Sequence, residues 1–314
     1  MLAYVLKRTF SVVPVFLVVL LVSFLLTHLT PGDPARVILG DTATEEEVWE
    51  LRDRMGLNAP LIVQFFRYSS DLLQGDFGDS VFLKIPVTEA FLQHLAPTVS
   101  LTLLAQAVAI VIAIPFGILA AMKRGHWPDH LFSATVLVGV SIPSFWLGLL
   151  VIRFFAVQLG WLPAGGYVPI TEDLWAHLRY MLLPALTLGF IQSALIARMT
   201  RSAMLEVMTQ NYIRTARAKG TSRWRVILIH ALRNAFIPIL TSIGLSLTIM
   251  ISGSTITEAV FNIPGIGQLI VNAVLRRDYE VIQGAILMIT VIFVLINLVV
   301  DLLYAAINPV VRLR

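Results

Sequence analysis

The sequence predicts an all-α integral membrane protein with six transmembrane helices. Of its 314 residues, 57% are hydrophobic and only 13% are charged, whereas a soluble globular chain carries roughly 25% charged residues. A water-soluble fold cannot bury so much apolar surface, so the composition indicates that lipid is the solvent. The apolar segments are continuous rather than alternating, which favours helices over the strands of a membrane barrel.

Six segments come close to the length of about 20 predominantly apolar residues that a spanning helix needs. They are residues 9–29, 99–122, 131–159, 180–197, 235–257 and 281–300. Arg153, in the third segment, is the only charged residue among them. The first segment is too long for the apolar region of a signal peptide and is not followed by a small-residue cleavage site, which predicts a retained span.

Charged residues are distributed asymmetrically around these spans. Residues 198–234 carry a net charge of +7, whereas residues 31–97 carry a net charge of −6. Because Lys and Arg near span ends collect on the cytoplasmic side, we expect both termini and residues 198–234 to be cytoplasmic. The predicted organisation is therefore a terminus and first span (1–30), an external subdomain (31–97) and a core membrane domain (98–314). The overall positive charge follows from this topology, and nucleic acid is not expected as a partner.

The predicted external subdomain contains two helical patterns. Thr44 precedes three consecutive glutamates, which is typical of a threonine cap followed by an acidic first turn. Residues 61–73 form the second pattern. A small folded subdomain between the first two spans is therefore expected.

The sequence lacks the common signatures of catalysis and nucleotide binding. It has no His-Glu-x-x-His zinc motif, no Gly-x-Ser-x-Gly elbow and no Gly-x-x-x-x-Gly-Lys-Ser/Thr phosphate loop. His126 and His130 have a metal-ligand spacing but lack a third ligand nearby, and the chain has no cysteine. We expect no catalytic residues, and no metal or cofactor bound by this chain.

Two polar features near the membrane are candidates for a substrate pathway. Arg153 either contacts the pathway or extends its long side chain to the membrane surface. Glu258 closes the fifth span and precedes an apolar stretch that contains Pro264, Gly265 and Gly267. Irregular backbone near a membrane is tolerated where protein or a water-filled cavity covers it. The stretch is therefore either a re-entrant element that lines the pathway exit or an ordinary interfacial loop.

The segment between the fourth and fifth spans is basic, and its pattern predicts two helices. A short basic helix ends at Gly220, and Ser222 is a suitable N-cap for a second helix. At helical spacing, the second helix places its apolar residues on one face: Trp224, Ile227, Leu228, Ala231 and Leu232. This arrangement is typical of a surface on which a partner docks, and the alternative is a basic loop lying on anionic lipid.

Several short motifs occur in a specific order along nearly the whole chain. They are Thr-Pro-Gly-Asp-Pro at 30–34, Gly-Asp-Phe-Gly-Asp-Ser at 75–80, Ser-Ile-Pro-Ser-Phe at 141–145, Leu-Gly-Trp-Leu-Pro at 159–163, Pro-Ala-Leu-Thr-Leu-Gly at 184–189 and Arg-Asn-Ala at 233–235. Together they resemble the permease subunits of ABC importers, and most closely the dipeptide/oligopeptide branch. The loop motif of that family begins Glu-Ala-Ala. Here Arg214, Thr215 and Ala216 hold those positions, so contacts attributed to the glutamate are not carried over.

The resemblance implies a coupling helix that docks on an ATPase subunit. Its residues are Arg214, Thr215, Ala216, Arg217, Ala218, Lys219 and Gly220. The resemblance also implies a bacterial inner membrane location, a second homologous permease, two ATPase subunits that carry ATP and Mg²⁺, and an external binding protein.

The implied substrates are dipeptides or oligopeptides, with glutathione, nickel complexes and sugars as alternatives. A secondary transporter and an intramembrane enzyme fit less well. A secondary transporter would need charged coupling residues at the membrane midplane. An intramembrane enzyme would need a pair of catalytic side chains.

Overall fold

The computed structural model describes residues 2–29, 33–40 and 42–307, which fold almost entirely into helices. In chain order these are α1 (Leu2–Leu29), α2 (Pro34–Leu39), α3 (Glu45–Arg54), α4 (Leu61–Leu73), α5 (Val87–Met122), α6 (Trp127–Ser141), α7 (Ser144–Val151), α8 (Leu174–Met208), α9 (Asn211–Ala218), α10 (Arg223–Arg225), α11 (Leu232–Val260), α12 (Ile266–Arg276) and α13 (Tyr279–Ile307). Two π-helical segments, Ile152–Gln158 and Val226–Ala231, follow α7 and α10. Most of the 30–34 motif and the C-terminal bases Arg312 and Arg314 lie outside the described residues.

Within the described ranges, four helices are long and apolar enough to cross a membrane. They are Val87–Met122, Leu174–Met208, Arg223–Val260 and Tyr279–Val300. A bent pair of helices forms a fifth span if it is taken as one. The first predicted span lies within α1, which contains the apolar stretch Val13–Leu26. Five of the six predicted spans thus each fall on one helix and the third falls on the bent pair, and the all-α integral membrane fold is confirmed.

The third predicted span is broken rather than continuous. Helices Trp127–Gly139 and Ser144–Gln158 meet at an angle of 102°. Between them, Ile142 has extended backbone with ψ of 124°, because the ring of Pro143 disfavours helical geometry in the preceding residue. Proline also lacks the N–H that would continue the helical hydrogen bonds.

The chain divides into two compact units. The first comprises residues 1–95 and 268–295, and the second comprises residues 96–267 and 296–314. Val87, Ala90, Leu269, Ala273 and Val281 form the small core of the first unit. The three-part division expected from the sequence remains a prediction, because compactness alone does not locate the membrane.

The described part of the expected external subdomain contains both helices that the sequence predicts there. The Thr44 hydroxyl accepts a hydrogen bond from the Glu47 N–H (3.3 Å), and the Glu47 carboxylate accepts one from the Thr44 N–H (2.8 Å). This reciprocal pair is a capping box, and the backbone and hydroxyl donors of Thr44 lower the pKa of Glu47. α4 has the predicted bounds and packs Phe65 against Phe24 of α1 at a ring distance of 5.4 Å.

In the second unit, small residues let the long helices approach closely. A Cβ placed on Gly189 of α8 would lie 2.5 Å from the Ala105 carbonyl oxygen of α5. A Cβ on Gly117 of α5 would lie 2.7 Å from the Ala197 carbonyl oxygen of α8. Glycine at both positions therefore allows backbone contact between α5 and α8.

Candidate functional site

The basic region, residues 211–225, begins with α9 and a glycine cap. Gly220 has φ of +76°, the left-handed conformation that is typical of a glycine at the end of a helix, as predicted for this position. Its N–H donates to the Arg217 carbonyl (3.0 Å), and the Thr221 N–H donates to the Ala216 carbonyl (3.2 Å). These two bonds form a Schellman motif, so the end of α9 has a defined geometry.

α9 presents one face to the protein and the other to solvent. Ile213 is fully buried in the core of the second unit, and Ala216 packs against that core. The remaining residues of the predicted coupling helix are exposed: Arg214, Thr215, Arg217, Ala218, Lys219 and Gly220. An apolar anchor therefore holds α9 while its three basic side chains remain accessible.

The helix after Gly220 differs from its predicted amphipathic pattern. Ile227 and Ala231 are buried as expected, but Trp224 and Leu228 are 60% and 51% exposed, and Val226 is buried instead. The predicted face assumed 3.6 residues per turn, whereas Val226–Ala231 is π-helical, with i→i+5 bonds and a wider turn. The segment also continues directly into the fifth span, as one helix from Arg223 to Val260.

A second candidate site surrounds Glu258 at the end of α11. Glu258 is fully buried. Its Oε1 accepts hydrogen bonds from the Thr98 hydroxyl (2.7 Å) and the Ser254 hydroxyl (3.0 Å). The Thr98 oxygen in turn accepts the N–H of Ile266, the first residue of α12 (2.8 Å). We call this set, together with Gly265, the glutamate junction, and it joins the ends of α11 and α12 to α5.

The predicted Pro/Gly stretch packs tightly on this junction. A Cβ on Gly265 would overlap the Glu258 carboxyl group, and a Cβ on Gly267 would overlap Thr255. Pro264 lies in the turn between α11 and α12, next to Ile263, whose N–H donates to the Glu258 carbonyl (2.8 Å). The structure therefore brings the buried Glu258 and Gly265 together with Pro264, whose ring is exposed, in one turn.

Arg153 does not belong to this group. It lies on the π-helical segment Ile152–Gln158, is exposed, and takes no part in the hydrogen bonds of the glutamate junction. Exposure is compatible with either interpretation that the sequence left open for it.

A polar cluster in the first unit was not predicted from the sequence. The Ser80 hydroxyl donates to Asp278 (2.6 Å) with both residues buried, and the Asp79 N–H donates to the Glu280 carboxylate (2.8 Å). The motif at 75–80 was the available signal, but nothing in the sequence connected it with residues 198 and 201 positions later.

An ion pair in the second unit was not predicted either. Arg201 of α8 binds Asp129 of α6 through two hydrogen bonds, of 2.7 and 2.9 Å. In the sequence, Arg201 contributes only to the net charge of residues 198–234, and Asp129 falls in the short connection between the second and third predicted spans. The pair instead links two spans near the end of α8.

The described residues hold no group of three or more His, Cys, Asp or Glu side chains arranged to bind a metal ion. The two candidate sites are thus an exposed basic helix with a glycine cap and a buried glutamate that accepts hydrogen bonds from two hydroxyls.

Comparison with known proteins shows the family to which the chain belongs. Residues 113–313 match the family described as "Binding-protein-dependent transport system inner membrane component", and residues 1–102 match the N-terminal component of such systems. The chain is 46% identical over 314 residues, covering both chains fully, to the glutathione transport system permease protein GsiC of Salmonella paratyphi A. It is 45% identical to a probable peptide ABC transporter permease, y4tP, of Sinorhizobium fredii, covering 98% of this chain and 99% of that protein.

A solved structure shares the fold. A chain of the MetNI methionine ABC transporter, in an inward-facing conformation, superposes with a TM-score of 0.58 at 21% identity and covers 70% of this chain and 97% of its own length. The matched family consists of transport subunits rather than enzymes, and it implies a partner permease and ATPase subunits. The chain therefore belongs to the binding-protein-dependent transport system inner membrane components, as a multi-pass inner membrane permease subunit of an ABC importer.

Proposed function

We propose that this chain forms half of the translocation pathway of an importer for small peptides, a class that includes dipeptides, oligopeptides and glutathione. The observation that carries the proposal is full-length similarity, at 45–46% identity, to relatives named for peptide and for glutathione transport. Glutathione is itself a tripeptide, so the two names share one chemistry. An external binding protein delivers the peptide and supplies much of the selectivity.

Transport by the reconstituted importer tests this proposal. The chain is co-purified with its partner permease and ATPase subunits, placed in vesicles with the binding protein, and supplied with a labelled dipeptide, a labelled tripeptide, glutathione, a nickel complex or a sugar. We expect ATP-dependent uptake of at least one peptide and competition by the others. Uptake of the nickel complex or the sugar without any peptide would contradict the substrate class.

The basic region is the proposed docking surface for an ATPase subunit. Its support is the exposed Arg214, Arg217 and Lys219 on a helix that Ile213 anchors in the core. The continuous helix Arg223–Val260 gives movement of this region a direct route to the fifth span. ATP and Mg²⁺ bind to the ATPase subunits, so the isolated chain should hydrolyse no ATP, as measured by phosphate release.

The proposed topology places both termini and the basic region in the cytoplasm. Its support is the net charge of +7 on residues 198–234 against −6 on residues 31–97. Single cysteines at Asp71 and Arg217 in this cysteine-free chain are treated with an impermeant thiol reagent on intact spheroplasts. We expect labelling at position 71 only, and labelling at position 217 only would invert the topology.

The glutamate junction is the proposed outer border of the pathway. Its support is an acidic residue at the end of a span, fixed beside the irregular turn of Pro264 and Gly265. In this proposal Glu258, Gly265 and Gly267 hold the turn in place. Arg153 is a separate candidate for a pathway contact.

A further inference from the structure

A groove in the second unit has the shape and lining of a lipid site. It has a volume of about 360 Å³ and lies between α5, α6 and α8, which is within the range of roughly 300–1,000 Å³ found for small-molecule sites. Gly139, Ala194 and Ala197 lie on its walls, and their small side chains leave the space open.

The interior of the groove suits a hydrocarbon chain. Its walls are almost entirely apolar, and the hydroxyls of Thr135 and Ser193 are engaged by their own helices. The Thr135 hydroxyl donates to the Leu131 carbonyl (2.9 Å), and the Ser193 hydroxyl donates to the Phe190 carbonyl (2.6 Å). A polar ligand would therefore find few partners inside, because a polar group that is buried without a hydrogen bond is unfavourable.

One end of the groove carries a positive charge. Lys123, which directly follows the end of α5, is the only charged side chain in the lining. Beside it, Trp127 begins α6 and is 74% exposed, and tryptophan is enriched at membrane–water boundaries. The groove therefore combines an apolar interior with a basic mouth where two spans end.

The acidic residue closest in sequence does not neutralise Lys123. Asp129 is held by Arg201 at 2.7 and 2.9 Å and accepts the Gly125 N–H at 3.0 Å. Among the residues that the structure describes, no ion pair involves Lys123. Its ammonium group is therefore available to an anion from outside the chain.

We propose that this groove binds a phospholipid with an anionic headgroup, whose acyl chain lies along the apolar walls and whose phosphate pairs with Lys123. Basic pockets between transmembrane helices attract anionic headgroups in this way. A spanning helix of another subunit is the competing occupant, and it would have to bring a carboxylate to Lys123 to match the charge.

Lipid retention by the assembled importer tests the proposal. The complex is reconstituted in phosphatidylcholine vesicles that contain some phosphatidylglycerol, extracted in mild detergent, and its retained lipids are quantified by mass spectrometry. We expect enrichment of phosphatidylglycerol in the wild type. Lys123→Gln should lower that enrichment about five-fold, which corresponds to about 1 kcal/mol. Thr135→Phe, which fills the groove, should lower the retention of both lipids.

Two matched variants control for general effects. Arg124→Gln removes the neighbouring charge, which does not line the groove, and Ser133→Phe enlarges an exposed residue of α6 outside the lining. Both should retain lipid like the wild type. Equal losses in Lys123→Gln and Arg124→Gln, or no loss in Thr135→Phe, would overturn the site.

A second measurement detects the bound molecule directly by crosslinking, and therefore does not depend on a loss of lipid in the Lys123 and Thr135 variants. Phe116 is replaced by the photoreactive benzoylphenylalanine, which keeps an aromatic ring at this exposed wall position. Irradiation of the assembled importer should attach phospholipid to position 116. Attachment to a second polypeptide instead would assign the groove to a subunit interface and reject the lipid site.

Discussion

Gly220 in the basic region and Gly265 in the glutamate junction are required for opposite reasons. Gly220 has φ of +76°, and a Cβ there would meet nothing within 4 Å. Gly265 is not among the residues with positive φ, yet a Cβ there would overlap the Glu258 carboxyl group. Backbone conformation thus selects glycine at position 220, whereas lack of space selects it at position 265.

This difference separates a surface from an interior. At Gly220, the strain of a side chain falls on one exposed helix end, so it should misalign the bases beside it and leave the core undisturbed. At Gly265, any side chain displaces a buried carboxyl group that contacts both Thr98 and Ser254. We therefore expect substitutions at the glutamate junction to lower the stability of the chain. Substitutions in the basic region should instead weaken ATPase docking or coupling.

The largest effect is expected from Gly265→Ala. Overpacking a tight interior costs about 1–3 kcal/mol, and the upper end applies here because several carboxyl atoms would be displaced. The thermal unfolding midpoint of the purified complex should fall markedly, together with the yield of complex. Gly253→Ala is the control, since a Cβ there meets nothing within 4 Å. Equal midpoints for the two variants would contradict the packing argument.

Glu258→Ala should come next. It removes the buried carboxylate that accepts the Thr98 and Ser254 hydroxyls, and a hydrogen bond to a charged group contributes about 1.5–3 kcal/mol. We expect assembly to persist and uptake to fall. Glu258→Gln keeps an oxygen that can accept from Thr98 and should lie between Glu258→Ala and the wild type in both stability and uptake. Wild-type uptake by Glu258→Ala would move the pathway border elsewhere.

Gly220→Val should have a smaller effect on stability and a clear effect on coupling. A side chain in the left-handed conformation costs about 1–2 kcal/mol, and a β-branched residue is among the least tolerant. Uptake should fall through weaker ATPase docking or uncoupled hydrolysis, while the spans stay folded. Gly220→Asn is the matched control, since asparagine tolerates this conformation. Wild-type docking and uptake by Gly220→Val would refute the docking assignment.

The smallest effects are expected from Arg217→Ala and Lys219→Ala. Both side chains are exposed, and exposed ion pairs are worth about 0.2–1 kcal/mol. Charges at the rim of an interface mainly change the association rate. Each variant should therefore slow ATPase binding at low salt, with little difference at high salt. A loss of binding that persists at high salt would show that these residues do more than attract the partner.

Local features of the fold could be predicted because their causes are local. The capping box of Thr44 and Glu47, the bounds of α4 and the left-handed Gly220 each depend on a few neighbouring residues and recur wherever that sequence pattern occurs. The exposed face after Gly220 could not be predicted in the same way. A π-helical turn at Val226–Ala231 changes which side chains face the core, and helical periodicity assumes that no such turn is present.

By itself, the sequence determined that the chain is an integral membrane protein. It also determined the positions of the predicted spans and the short motifs that the chain carries. Apolar length and charge along the chain are sufficient for this, because a bilayer imposes the same length and polarity on every span. Only the tertiary structure decided that Glu258 meets Thr98 from 160 positions earlier, and that Arg201 meets Asp129 across two spans. Such contacts depend on how helices pack against one another, and hydropathy does not encode that packing because lipid-facing and protein-facing residues are equally apolar.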